Sequence, residues 1–191
     1  MTVDVPEGFV YRPDFFDGAE EQTILQHIRA IELSEVRMRD VVARRRVAHF
    51  GLIYRYDSWH VEPGPPIPEF LGTSKDRAAT LLQVGPDRLV EALITEYPPG
   101  AGIGWHRNAP VFGNVVAISL LSPCRLLLRQ GSTGRASASL VIDPRSAYVL
   151  SGAARSGWQH SISPTKMMRY SITFSHASFQ QNCVEPLESW N

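Results

Sequence analysis

The sequence predicts an α+β fold, with N-terminal helices leading into a run of short strands folded as a sandwich or barrel. Three observations carry that expectation. Helical apolar spacing is confined to the first part of the chain. From Leu89 onward, short apolar runs alternate with turn signals. And 191 residues, 43% hydrophobic and 20% charged, are enough for one domain with a substantial core.

Asp17 followed by Glu20 has the form of a capping box, in which the aspartate accepts the first free backbone N–H groups of a helix. Ile24, Leu25, Ile28 and Ile31 then recur at helical spacing, which marks a helix buried along one face. Gly64-Pro65-Pro66-Ile67-Pro68 is too rich in proline for regular structure and reads as a rigid extended loop. A second helix is expected over Lys75 to Val84, stopped by Gly85 and Pro86.

The predicted strands follow at Ala92 to Tyr97, Val115 to Leu121, Arg125 to Leu128, Ala138 to Ile142, Ala147 to Leu150 and Tyr170 to Phe174. Pro98-Pro99-Gly100, Gly113-Asn114, Ser122-Pro123, Gly131 to Gly134 and Asp143-Pro144 separate them. No repeat, low-complexity tract or second domain interrupts this pattern, so residues 1–191 read as a single domain.

Composition excludes several classes. No apolar run approaches the roughly 18 residues a membrane helix needs. The first sixteen residues carry Asp4, Glu7 and Asp14 and lack a signal pattern, so cytoplasmic residence is expected. Cys124 and Cys183 lie far apart without metal-ligand spacing, which argues against a disulfide scaffold or a cysteine zinc site. A net charge of zero argues against nonspecific coating of nucleic acid. Yet Arg37, Arg39, Arg44, Arg45 and Arg46 cluster, either as a phosphate-binding patch or as a solvated strand edge.

Two histidines stand out in the β-rich half. His106 follows the Gly-rich turn Gly100 to Gly104 and precedes Asn108 by two residues. In an extended segment such residues point to the same side, so both can face one ion, with His160 reaching it from a neighbouring strand. Two histidines and a carboxylate on one face of iron leave positions open for a co-substrate and oxygen, but position 108 is an amide.

The stretch Leu93 to Ser175 resembles the catalytic core of the AlkB family of Fe(II)- and 2-oxoglutarate-dependent dioxygenases. The resemblance rests on Tyr97-Pro98-Pro99-Gly100 through Ile103 to His106, on Ile118-Ser119-Leu120, on Gly152, Arg155, Trp158 and His160, and on Arg169 to Phe174. Upstream, Arg45-Arg46 to Gly51, Tyr54 and Pro66-Ile67-Pro68 resemble the family's nucleotide-binding lid, here about residues 37–70.

The resemblance implies a double-stranded β-helix, a jelly-roll variant, over about residues 89–178, with helices bracing one sheet. It implies Fe(II) held by His106, Asn108 and His160, the catalytic set. It implies 2-oxoglutarate clamped by Arg169 with Tyr97, Thr95 and Ser171 nearby, and O2 as the oxidant. In demethylating members the co-substrate loses carbon dioxide to give succinate, while an N-methyl group on a base is hydroxylated and leaves as formaldehyde. Three positions depart from the family pattern: Asn108 replaces an Asp, Ser175 a second Arg, and Thr95 an Asn. Asn108 is either an inactivating change on an intact frame or the mark of a branch that binds without oxidising.

Arg45 and Arg46, with Tyr54, Tyr56, Trp59 and Trp105, supply the cations and flat surfaces that a methylated, single-stranded nucleic-acid substrate requires. A small molecule or a protein side chain is the alternative substrate. Arg155 is expected to brace the turn before His160, and His49, His60 and His176 have no spacing that pairs them with the metal site.

Overall fold

In the computed structural model, which describes residues 5–38, 41–55, 58, 60–131 and 136–177, the capping box at Asp17 closes in both directions. The Asp17 carboxylate accepts from the Glu20 N–H at 2.8 Å, and the Glu20 carboxylate accepts from the Asp17 N–H at 2.9 Å. Such a cap contributes about 1 kcal/mol. After strand β1 (Phe9–Arg12), it starts helix α1 (Gly18–Arg29), which buries Ile24, Leu25 and Ile28. Ile31 lies just past the helix and still packs on the same core.

The chain then departs from expectation. Strands begin well before Leu89: β2 (Ser34–Met38), β3 (Val41–Arg55) and β4 (His60–Pro63) follow α1 directly. The arginines of β3 dilute its apolar content, so it reads as polar although it pairs on both sides. Helix α2 (Gly72–Leu82) starts three residues before Lys75, because a single turn at Glu69–Leu71 leads straight into it. It ends at Gln83, which takes a left-handed conformation (φ 56°), ahead of Gly85 and Pro86.

The remaining strands are β5 (Leu89–Tyr97), β6 (Ile103–His106), β7 (Phe112–Leu120), β8 (Cys124–Gln130), β9 (Ala138–Ile142) and β10 (Ser146–Leu150). A short helix α3 (Gly152–Ser156) precedes β11 (Trp158–Ile162) and β12 (Arg169–Ala177). The predicted glycine-rich turn is shorter than expected, since Ile103 and Gly104 already belong to β6.

These strands form two antiparallel sheets. The larger runs β1-β10-β7-β12-β5-β3-β2, with β4 on β3, and the smaller runs β6-β11-β8-β9. One apolar core lies between the sheets and includes Ala117, Leu126, Leu128, Ile142, Leu150 and Ile162. A second lies under α1 and α2 on the outer face of the larger sheet, around Leu25, Ile28, Ile94, Ile118, Ile172 and Phe174. This is the jelly roll with helices bracing one sheet that the resemblance implied. Among the described residues no helix is long and apolar enough to cross a membrane.

The alternation of the larger sheet decides what faces inward. Ile94 and Ile172 join the helix-side core, whereas Leu93, Thr95 and Tyr97 on β5 and Ser171 and Thr173 on β12 turn to the space between the sheets.

Candidate active site

A cavity of about 600 Å³ opens between the two sheets, and the strand registers fix its walls. Arg169 pairs with Tyr97, Ser171 with Thr95 and Thr173 with Leu93 across β12 and β5. On the opposite sheet His160 stands directly across from His106 on β11 and β6. Tyr97, Thr95, Ser171, His106, Asn108 and His160 all line the cavity.

The imidazoles of His106 and His160 have ring centroids 4.1 Å apart with their planes at 54°. Burial pushes the pKa of both below the usual histidine value. His160 lies well below it, with the charge of His106 and then of Arg155 acting in the same direction. For His106 the hydrogen bond to the Gly104 carbonyl opposes the shift, and Arg45 adds to it. His106 Nδ1 lies 2.9 Å from that carbonyl oxygen, which assigns Nδ1 the proton and leaves Nε2 with a lone pair. Neutral imidazole is the form that binds metal.

Asn108 contributes a buried Oδ1 with no hydrogen-bond partner. A polar atom left so costs about 1–3 kcal/mol unless something satisfies it. Two neutral imidazoles and one unpaired carbonyl oxygen on a single cavity fit a divalent ion of intermediate softness. They bring no negative charge, and among the described residues no third His, Cys, Asp or Glu joins the pair.

Arg169 is fully buried. Its Nε donates to Ser119 Oγ at 3.3 Å, its guanidinium carbon lies 4.8 Å from the Tyr97 ring centroid, and its Nη1 has no partner. Among the described residues no carboxylate pairs with it. A buried, uncompensated guanidinium costs several kcal/mol, so the position calls for an anion. Thr95 and Ser171, buried on adjoining strands, add hydroxyls near the same end. Burial pushes the hydroxyl of neighbouring Tyr148 well above the usual phenol value, so it too can only donate or accept as a neutral group.

The residues expected to contact substrate divide. Tyr54 lines the cavity and packs with Ala109 and Phe112, and Arg45 lines it as well. Arg46 does not: it lies on the other face of β3, where its Nε donates to Glu96 at 2.8 Å. Trp105 does not wall the cavity either. It precedes His106 on a strand, so it points the opposite way, and the Arg129 guanidinium stacks on it at 4.4 Å. Tyr56 and Trp59, like Arg39 and Cys183, lie outside the described residues.

Arg155 sits in the short helix α3, and it braces a different segment from the turn before His160 that was expected. Its guanidinium donates to the carbonyls of Ala109, Phe112 and Gly113 at 2.7–2.8 Å, and so holds the loop that follows Asn108. Ser175, at the position of the missing arginine, donates from its hydroxyl to Glu91. Two cavity-side groups were missed from sequence: His49, which lines the cavity, and Glu91 behind it. The alternation Glu91, Leu93, Thr95, Tyr97 was the signal for Glu91, and it is legible only once the inner face of β5 is known.

Comparison with known proteins follows from this geometry. The sequence profile of the 2OG-Fe(II) oxygenase superfamily matches residues 8–181. The chain is 26% identical to the tRNA (carboxymethyluridine(34)-5-O)-methyltransferase alkbh8 of Xenopus tropicalis, over 87% of this chain and 27% of that protein. It is 27% identical to the Alkylated DNA repair protein ALKBH8 homolog of Arabidopsis thaliana, over 81% of this chain and 50% of that protein. The chain thus spans between about a quarter and a half of the length of the curated relatives it matches. Among solved structures, OsALKBH1 superposes with a TM-score of 0.69 at 14% identity, covering 91% of this chain and 98% of that one. A prolyl hydroxylase from Trichoplax adhaerens, bound to a hypoxia inducible factor peptide, superposes with a TM-score of 0.61 at 16% identity, covering 89% and 83%.

Proposed function

The chain belongs to the 2OG-Fe(II) oxygenase superfamily, whose members use Fe(II), 2-oxoglutarate and O2, and from that premise we propose that it oxidises N-methyl groups on bases of single-stranded nucleic acid. The observation that carries the reading is Arg169: a fully buried guanidinium with an unpaired Nη1, behind Tyr97, whose ring lines the cavity together with the two histidines.

In this reading Arg169 pairs with the distal carboxylate of 2-oxoglutarate, as a planar fork meeting a planar anion. Tyr97 walls that end, and Thr95 and Ser171 offer hydroxyls to the same group. His106, His160 and the Asn108 carbonyl hold the iron. Bound iron supplies the activation of O2 that a C–H oxidation needs. The protein keeps both imidazoles unprotonated by burying them and fixes the His106 tautomer through Gly104. Arg155 holds the loop after Asn108 in place. Arg45 and Tyr54, on the wall away from the smaller sheet, meet phosphate and base.

A relative that acts on a carboxymethyluridine of tRNA supports a second substrate, a modified base of tRNA. One experiment separates these. Succinate release from 2-oxoglutarate with Fe(II) is measured with N-methylated single-stranded DNA, with tRNA and with no nucleic acid, for this chain and for Asn108→Asp. Stimulation by the methylated strand with release of formaldehyde supports demethylation. Stimulation by tRNA alone moves the assignment to tRNA, and no stimulation by either sinks both.

A further inference from the structure

We propose that His49, oriented by Glu91, presents a hydrogen-bond acceptor to the cavity that selects bases carrying an amino N–H at that edge. The inference rests on the nucleic-acid reading above and names how the same cavity would choose its base.

The argument starts from the alternation of β3. Arg45, Val47 and His49 face the cavity there, and His49 pairs in register with Leu93 of β5, which pairs in turn with Thr173. Behind His49 lies Glu91, 7% exposed, whose Oε1 faces His49 Nδ1 at 4.0 Å while its Oε2 accepts from the Ser175 hydroxyl. His49 Nδ1 is itself buried and has no hydrogen-bond partner. The side chain is nonetheless 34% exposed, so its accessible part is the edge away from Nδ1, in the cavity.

At 4.0 Å the two groups are positioned for an ion pair, yet burial opposes charge on both. It pushes Glu91 up to about 7, against the Ser175 hydrogen bond and the Arg155 charge, and it lowers His49, with Arg55 adding to the effect. His49 is therefore neutral at neutral pH, while Glu91, near 7, is partly ionised and offers Oε1 as an acceptor. A neutral imidazole has one proton. Placed on Nδ1, it meets the otherwise orphaned contact with Glu91 and leaves Nε2 as a lone-pair acceptor on the cavity side. An acceptor there rewards an amino group and disfavours a carbonyl, since two facing acceptors leave both unpaired.

The test compares two N-methylated bases that differ at that edge. Dye-labelled single-stranded oligonucleotides carrying one 3-methylcytosine or one 3-methyluracil are titrated by fluorescence anisotropy against this chain, His49→Phe, His49→Gln and Glu91→Gln. The expected result is a five- to tenfold preference, roughly one hydrogen bond's worth, for the amino-bearing base. That preference disappears in His49→Phe and is partly kept in His49→Gln, whose amide oxygen restores an acceptor. A preference that survives in His49→Phe reports only the charge of 3-methylcytosine and overturns the proposal. Binding of both oligonucleotides without preference overturns the His49 assignment and leaves the nucleic-acid reading standing. No binding of either overturns both. Nitrogen-15 spectra of the histidine side chains give an independent reading: a pyridine-type Nε2 for His49 is expected, and a protonated Nε2 overturns the proposal.

Discussion

His160 and His106 stand directly across from one another on neighbouring antiparallel strands, so the distance between their rings is set by the sheet and not by the side chains alone. The backbones beneath the two rings cannot separate without breaking the ladder between β11 and β6. In the proposed metal site the histidine pair is thus the stiff part, and Asn108, on the loop beyond β6, the adjustable part.

From that contrast we expect Asn108→Asp to tighten binding of Fe(II), or of Mn(II) as a stand-in, by at least about tenfold. A charged oxygen is the better ligand for a hard divalent ion. Calorimetric titration of the metal reads this without turnover, and succinate release should rise in parallel. Equal metal affinity in the two proteins would remove Asn108 from the ligand set.

Arg169→Met should lower affinity for 2-oxoglutarate by about a hundredfold or more, because a buried bidentate partner for the carboxylate is lost. The melting temperature should hardly fall. Arg169 is uncompensated when the pocket is empty, and an apolar side chain of similar length relieves that cost. Calorimetry with 2-oxoglutarate and thermal unfolding together check the claim. Unchanged affinity would sink it.

Glu91 gives stability an unusual pH dependence. Its folded pKa, about 7, lies above its ordinary value of 4.5, so the unfolded chain gives up the proton first as pH rises. The stability it allows is full below about pH 4.5 and is lost progressively towards pH 7, by about 3 kcal/mol. Glu91→Gln should therefore match the parent near pH 4.5 and melt at increasingly higher temperature than the parent as pH approaches 7. A gap between the two that does not change with pH would contradict the assignment.

Arg155→Ala should destabilise the fold by about 2–3 kcal/mol, since it removes three part-buried hydrogen bonds to the carbonyls of Ala109, Phe112 and Gly113. Metal affinity should fall as well, through the loosened loop carrying Asn108. Arg155→Lys should recover part of the stability and less of the metal affinity. A loss of stability with metal affinity intact would limit Arg155 to a structural role.

Much of this was legible in the residues. The capping box, the buried face of α1 and six of the eight strands described from Leu89 onward follow from local spacing, while the grouping of His106, His160, Tyr97 and Arg169 came from the family resemblance. What escaped depended on which face of a strand a side chain occupies. Trp105 and Arg46 are aromatic and basic beside functional positions, yet each sits one residue out of phase and turns away from the cavity. His49 has no telling sequence neighbour, because its partner Glu91 lies on another strand and is brought near only by the pairing of β3 with β5. The strand β3 itself was hidden because three consecutive arginines mask the apolar run around them.

Strand β3 carries Arg45 and His49 before Gly51 and Tyr54 after it, and Gly51 takes a φ of 77° with no room for a side chain against the Val90 carbonyl. A single residue inserted or deleted ahead of Gly51 would exchange the two faces of that stretch at once, bringing Arg46 to the cavity and turning Arg45 and His49 away from it. The wall proposed to meet substrate therefore changes by point substitution or by whole pairs of residues, while the histidines on the opposite sheet stay untouched. Under the proposed assignment, new substrates are acquired in discrete jumps along one strand, with the histidine pair inherited unchanged.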